Sequence, residues 1–206
     1  MNYRGVIVIG KLIVLCGINN VGKTTQKDLL VKRISSELKL PVEALKYPIY
    51  NLKPSGPMLD DYLRNNSKNY SVQRLEAQTL FAFNRYQYQD TLLNKLYDGI
   101  NIISEDYIGT SIAWGMSYGE PRNKLEYVNS ELRQADLTIL LDGERFLTSI
   151  ETNHSHEQDY RLTQVCRANH LRLAYLYKWE IINANQPVSA VHKDIWHCVH
   201  YKLLAP

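Results

Sequence analysis

Two glycines, a lysine and a threonine stand at the spacing needed to hold a phosphate chain. Residues 17–24 read Gly-Ile-Asn-Asn-Val-Gly-Lys-Thr, which matches the P-loop pattern G-x-x-x-x-G-K-T. Glycines let the backbone curl so that successive N–H groups point at phosphate oxygens, and the helix that follows favours negative charge at its start. In this pattern Lys23 reaches the β- and γ-phosphates, and the Thr24 hydroxyl binds Mg²⁺.

The residues on either side of this segment have the patterns of a strand and of a helix. Residues 11–16 form a short apolar run rich in branched side chains, which is typical of a buried parallel strand. Residues 26–34 place apolar side chains at helical spacing. This context disfavours the alternative, a glycine turn that only joins a strand to a helix. The sequence therefore predicts a nucleoside triphosphate site built from Gly17, Asn19, Asn20, Val21, Gly22, Lys23, Thr24 and Thr25.

Strand-like and helix-like patterns alternate along the rest of the chain. Further strands are predicted at 42–47, 100–104, 137–141 and 180–183, and helices at 58–63, 71–96, 122–134, 162–177 and 189–200. Residues 6–9 are a candidate extra edge strand, and Ser71 is a candidate N-cap. This alternation predicts an α/β fold with a parallel five-stranded sheet and helices on both faces. Ligands of such sheets bind where the strands end, so the segments after each strand are the candidate sites.

The composition is that of an ordinary globular protein. The 206 residues suit one domain spanning 1–206, with 45% hydrophobic and 22% charged residues. A net charge of +3 is too small to indicate nucleic acid or an anionic membrane as a partner. The three cysteines are scattered, which indicates free thiols and a cytoplasmic location. No apolar run approaches the roughly 18 residues of a membrane span.

The order of several segments resembles a known family. After the P-loop come Tyr47-Pro48, then Leu-Phe-Ala-Phe-Asn-Arg-Tyr at 80–86, Glu-Asp-Tyr at 105–107 and Asn-Ala-Asn-Gln-Pro-Val at 183–188. Over residues 11–195 this order resembles the thymidylate kinases, P-loop enzymes that phosphorylate thymidine monophosphate (dTMP) with ATP. The resemblance implies the three-layer P-loop NTPase fold with a short lid at about 144–162. It also implies ATP and Mg²⁺ as cofactors and a homodimer.

The resemblance assigns the acceptor nucleotide to six side chains: Tyr47, Tyr50, Phe81, Arg85, Tyr107 and Trp114. In the family pattern Phe81 stacks on the pyrimidine ring and Arg85 donates to a carbonyl of the base. Tyr107 lines the deoxyribose, and Trp114 closes the sugar side. The alternatives are plain core packing for Phe81 and Trp114, and a surface salt bridge for Arg85.

The same resemblance assigns catalysis and ATP binding. Lys23 is the clearest catalytic residue, while Thr24 and Glu105 hold Mg²⁺. Further ATP contacts are implied for Arg145, Asn185 and Gln186. Asp106 is counted as catalytic because two adjacent carboxylates at the mouth of a sheet need a cation. The alternative is that Asp106 turns outward and pairs with a surface lysine or arginine.

The departures from the family pattern concern the grip on the acceptor's phosphate. Tyr50 stands where one family arginine aligns, and Asp106 stands where a second one aligns. Two bidentate anion-binding groups are thereby missing. Asn19 and Asn20 also replace the usual P-loop residues, and the lid segment 148–161 lacks an arginine cluster. The cations left to compensate are Lys53, Arg64, Arg145 and Arg161.

The favoured function is ATP-dependent phosphorylation of a pyrimidine deoxynucleoside monophosphate, with dTMP as the first candidate. Two alternatives stay open. One is a deoxynucleoside kinase on the same fold, which the missing arginines favour and for which adjacent carboxylates offer a general base. The other is a nucleotide-binding regulator with weak or no transfer activity. In each case the expected partners are small-molecule nucleotides.

Overall fold

Five parallel strands form the centre of the molecule. A computed structural model describes residues 9–64, 74–145 and 159–204. Within these ranges the strands are β1 (Leu12–Cys16), β2 (Val42–Lys46), β3 (Asn101–Glu105), β4 (Leu137–Asp142) and β5 (Glu180–Asn183). Every neighbouring pair is parallel, in the order β2-β3-β1-β4-β5. The predicted five-stranded parallel sheet is confirmed.

The helices connect these strands. Their bounds are α1 (Lys23–Arg33), α2 (Ser55–Arg64), α3 (Arg74–Tyr97), α4 (Ile108–Ser117), α5 (Arg122–Tyr127), α6 (Tyr160–Tyr177) and α7 (Val188–Leu204). A π-helical turn, Ile34–Leu38, continues α1. Among the described residues, no helix is long and apolar enough to cross a membrane.

Both faces of the sheet are buried under helices. Alternate residues of a strand point to opposite faces, so β1 contributes to two apolar clusters. Ile13 and Leu15 pack in one cluster with residues of α1, of the π-helical turn that continues it and of α7 (Leu30, Ile34, Val191, Ile195). Leu12 and Val14 pack in another with residues of α3 (Leu92, Leu96). This arrangement is the predicted three-layer α/β fold.

The central strands bring two loops together. In the parallel register Leu15 of β1 lies opposite Glu105 of β3, and Lys46 of β2 lies opposite the same glutamate. The segment after β1 is the P-loop, and the segment after β3 begins with Asp106. Both therefore leave the sheet side by side, at the edge where ligands of such folds bind.

Three differences from the predicted elements concern helices. The predicted helix at 122–134 ends at Tyr127, and the Asn129 side chain donates to the Leu125 carbonyl instead (2.7 Å). Helix α2 begins at Ser55, three residues earlier than predicted. Helix α4 was not predicted at all. The predicted N-cap Ser71, most of the lid and most of the candidate strand at 6–9 lie outside the described residues.

Truncation of a central strand residue tests this core. Ile103 of β3 is fully buried, so Ile103→Ala should lower the free energy of unfolding by about 2–5 kcal/mol. Ile181 of β5 is 38% exposed and serves as the matched control, because its truncation removes less buried surface. Chemical denaturation of both variants measures the difference. A loss at Ile103 no larger than the loss at Ile181 would contradict the placement of β3.

Candidate active site

The P-loop has the backbone geometry of a phosphate-binding turn. Gly17 and Gly22 have φ angles of 143° and 98°, and Asn20 has a φ of 61°. A Cβ atom on Gly17 would lie 2.6 Å from the Leu141 carbonyl oxygen, so that position has room only for glycine. Gly22 precedes the first residue of α1. The N–H groups at the start of this helix therefore border the loop.

Lys23 is buried at the base of the loop. Its ammonium donates to the carbonyl oxygens of Gly17 (3.0 Å) and Ile18 (2.9 Å). The same nitrogen lies 3.6 Å from a carboxylate oxygen of Asp106. Because the residue is only 5% exposed, its charge acts in a region where water screens little.

Glu105 is a buried carboxylate held by three side chains. It accepts from the Thr24 hydroxyl (2.9 Å) and from the ammonium groups of Lys46 (2.9 Å) and Lys27 (3.2 Å). Burial by itself raises the pKa of Glu105, but Lys46, together with the charge of Lys23 and the hydrogen bond of Thr24, leaves that pKa below its usual value. Glu105 is therefore a charged group beside the P-loop.

Asp106 faces inward, so the alternative that it pairs with a surface cation is wrong. Its side chain is 17% exposed, accepts from the Thr110 hydroxyl (2.9 Å) and lies near Lys23. Burial raises its pKa above the usual value, although Lys23 acts against this rise. Its backbone has a φ of 61°, a conformation that aspartate adopts more readily than most residues.

Arg85 is an almost completely buried cation on α3. Its guanidinium donates to the Asn129 side-chain oxygen (2.8 Å) and to the Ser111 hydroxyl (3.1 Å), while its Nε has no hydrogen-bond partner among the described residues. No carboxylate of the described residues pairs with it, and burial lowers its pKa to about 10. Because it is only 3% exposed, the alternative of a surface salt bridge is wrong.

Aromatic rings line the region around Arg85. The rings of Tyr47 and Tyr107 are 5.2 Å apart, and both hydroxyls are buried without a partner among the described residues. Burial raises the pKa of Tyr107 to about 12 and raises the pKa of Tyr47 further. Phe81 is half-buried, and its ring forms a T-shaped pair with the Tyr62 ring, with 6.4 Å between the ring centroids. Trp114 is 4% exposed and also belongs to the apolar core.

Asn84 fixes the loop that carries Tyr47 and Tyr50. It is fully buried, and its side chain accepts from the Ile49 N–H (2.8 Å) and donates to the Ile49 carbonyl (3.1 Å). It also donates to the Ser55 hydroxyl at the start of α2 (2.8 Å). Asn84 thus ties the segment after β2 to α3.

A single cavity of about 430 Å³ joins these groups. It brings together predicted site residues from every part of the chain up to α4: Asn19, Asn20, Gly22, Lys23, Thr24, Thr25, Tyr47, Tyr50, Phe81, Arg85, Glu105, Asp106, Tyr107 and Trp114. The sequence did not single out several further lining residues, among them Lys46, Gln78, Thr110 and Ser111. One feature of the sequence could have identified Lys46 as a site residue, namely a cation at the carboxyl end of a strand.

The remaining predicted ATP contacts do not line this cavity. The Gly17 carbonyl accepts from Lys23, and Val21 is packed in the core. Arg145 stands over the Tyr160 ring at 5.6 Å. The Asn185 side chain accepts from the Glu144 N–H (2.8 Å), and Gln186 donates to the Asn183 carbonyl (2.7 Å). The loops after β4 and β5 are thereby joined, at the same edge of the sheet as the P-loop.

The fold and cavity define a P-loop phosphotransferase that acts on small molecules. A phosphate-binding loop, a carboxylate beside it and an aromatic surface with a buried arginine share one cavity. The family model for thymidylate kinase matches residues 15–195, so the chain belongs to the thymidylate kinase family.

Individual relatives agree with this assignment. The chain is 27% identical to a thymidylate kinase of Dictyostelium discoideum over 90% of its length and 83% of that protein. It is 29% identical to a probable thymidylate kinase of Pyrococcus horikoshii over 95% of its length and 98% of the relative. A solved structure of thymidylate kinase from Candida albicans has the same fold, with a TM-score of 0.77 and 21% identity, covering 93% of this chain and 92% of that one.

Removal of the buried guanidinium tests the predicted role of Arg85. Arg85→Met keeps much of the side-chain volume, so we expect affinity for dTMP to fall at least about tenfold while affinity for ATP changes by less than about twofold. Calorimetric titration with each nucleotide measures both constants, and circular dichroism checks the fold. Equal losses for the two nucleotides would indicate that Arg85 only supports the structure.

Proposed function

We propose that this chain transfers the γ-phosphoryl group of ATP to dTMP and releases ADP and dTDP. The supporting observation is the shared cavity, in which P-loop residues and the ring of Phe81 with the buried Arg85 face one space. Phosphoryl transfer requires little covalent chemistry from a protein. Positioning two phosphates in line and neutralising the charge between them supplies most of the catalysis.

On the donor side, the P-loop holds the phosphates of ATP. Backbone N–H groups at the start of α1 donate to phosphate oxygens, and the Lys23 ammonium stabilises charge on the transferred group. Lys23 is already ordered by the Gly17 and Ile18 carbonyls, so little side-chain motion is lost on binding. Arg145, Asn185 and Gln186, on the loops after β4 and β5, are proposed to contact the adenosine part.

The oxygens of Thr24 and Glu105 fit a magnesium ion. They lie 2.9 Å apart beside the P-loop, and Mg²⁺ prefers oxygen ligands from one or two protein groups together with phosphates. When bound, the metal neutralises charge that develops on the phosphates. Among residues of this chain, Thr24 and Glu105 would hold the ion, and Asp106 would add to the negative charge around it.

On the acceptor side, the aromatic rings select a planar base. Phe81 stacks on the pyrimidine. Arg85, which lines the cavity wall, donates a hydrogen bond to a carbonyl oxygen of the base. Tyr107 and Trp114 enclose the sugar. The Tyr47 and Tyr50 side chains line the remaining side, on the loop that Asn84 fixes.

Other expectations of the family resemblance stay predictions. They are a single domain spanning 1–206 with a lid at about 144–162, a homodimer and a cytoplasmic location. The lid lies mostly outside the described residues.

A substrate panel tests the proposed reaction together with Lys23. The purified protein is given ATP with Mg²⁺ and either dTMP, other nucleoside monophosphates or thymidine, and ADP is measured. We expect dTMP to give the highest rate, and Lys23→Met to reduce kcat at least about 100-fold because a charge-stabilising donor is lost. Lys32→Met, at an exposed position of the same helix, is the matched control. A higher rate on thymidine than on dTMP would instead indicate a nucleoside kinase. The absence of turnover on every acceptor would indicate a nucleotide-binding regulator.

Asp106 is tested by a change that keeps its backbone conformation. Asparagine also tolerates a positive φ and can accept from Thr110, so Asp106→Asn removes only the charge. We expect kcat/KM for dTMP to fall at least about tenfold, or about 1.4 kcal/mol of transition-state stabilisation. The control is Asp28→Asn, because Asp28 also lies 3.6 Å from a lysine, Lys27, but is exposed. A value within about twofold of the wild type would remove Asp106 from the mechanism.

A further inference from the structure

The last residue of α2 brings a cation into the cavity beside the loop after β2. The guanidinium carbon of Arg64 lies 4.6 Å from the centroid of the Tyr50 ring, and both side chains line the cavity. Stacking of this kind favours arginine over lysine, because the planar guanidinium can lie over the ring and still donate from its edge. The ring of Tyr50 therefore orients the guanidinium of Arg64.

Arg64 shares one cavity with the P-loop residues and with the aromatic surface of the acceptor site. A chain of contacts leads from Thr24 to Glu105 and on to Lys46, at the end of β2. Tyr50 follows four residues later, on the loop after that strand. On the other side, Tyr62 of α2, two residues before Arg64, contacts Phe81. Because Arg64, Phe81 and the P-loop residues line one cavity, a nucleotide that stacks its base on Phe81 and turns its phosphate to the P-loop shares this cavity with the guanidinium.

The other cations that line the cavity are bound to buried groups. Lys23 donates to P-loop carbonyls, Lys46 pairs with Glu105, and Arg85 donates to two polar side chains. Arg64 pairs with Asp60, one turn earlier on the same helix, whose side chain is 49% exposed. Solvent weakens such an exposed pair.

We propose that Arg64, oriented by the ring of Tyr50, binds the phosphate of the acceptor nucleotide and gives the site its preference for a monophosphate over a nucleoside. This inference rests on the proposed function. A monophosphate carries close to two negative charges at neutral pH, and a guanidinium can bind two of its oxygens at once. Tyr50 stands where the family resemblance expects an arginine. Arg64 supplies that charge from the neighbouring helix.

The test separates binding of the phosphate from binding of the nucleoside. Dissociation constants for dTMP and for thymidine are measured by calorimetry on the wild type, Arg64→Gln and Arg64→Lys. We expect Arg64→Gln to weaken dTMP binding at least about tenfold, because a charge-assisted hydrogen bond is lost, and to change thymidine binding less than about twofold. Arg64→Lys keeps the charge without the planar fork and should fall between the wild type and Arg64→Gln.

Arg33→Gln is the matched control. Arg33 also ends a helix, pairs with a carboxylate four residues away (Glu37) and stands over an aromatic ring (Trp196) at 4.2 Å, but it does not line the cavity. We expect both dissociation constants of this variant to equal those of the wild type.

Two negative outcomes are distinguishable. If the wild type phosphorylates dTMP but Arg64→Gln weakens dTMP and thymidine binding equally, or neither, the assignment of Arg64 is overturned while the proposed function stands. If the wild type does not phosphorylate dTMP, the proposed function fails, and the assignment of Arg64 fails with it.

Discussion

The charge on Glu105 is the interaction on which the rest of the site depends. A carboxylate at the buried end of a central strand is costly unless cations and donors compensate it. Here the compensating groups come from separate elements: Thr24 and Lys27 from α1, and Lys46 from β2. One carboxylate therefore fixes the start of α1, and with it the P-loop, relative to two strands. The geometry that can bind phosphate is coupled to the geometry of the sheet.

Helix α3 performs a similar function for the second half of the cavity. Its neighbouring residues Asn84 and Arg85 point in different directions, since successive helical positions differ by about 100°. Asn84 binds the backbone of Ile49 and so holds the loop after β2. Arg85 lines the cavity, held by Asn129 and Ser111. A single helix thereby sets both the loop and the cavity wall.

The sequence predicts the elements of this fold better than the contacts among them. Buried parallel strands are continuous apolar runs, so all five were recognised within about two residues of their bounds. Helix α4 was missed because glycine and small residues obscure its period. Position 109, for example, requires glycine, because a Cβ atom there would lie 2.3 Å from the Trp179 ring. The pairing of Lys46 with Glu105 and the stacking of Arg64 on Tyr50 join residues that no local pattern connects.

The cations that line the cavity differ in how readily an incoming anion can replace their internal partners. Each is already ordered by an internal partner, which reduces the entropy lost on binding, but that partner also competes with the anion. The Glu105 side chain is only 5% exposed and competes strongly for Lys46, because a buried carboxylate has little water to compensate its charge when the lysine is withdrawn. Asp60 is half exposed and competes weakly for Arg64. An incoming anion therefore displaces the partner of Arg64 more easily than the partner of Lys46. For this reason the guanidinium stacked on Tyr50 suits an anionic acceptor better than the lysine at the end of β2.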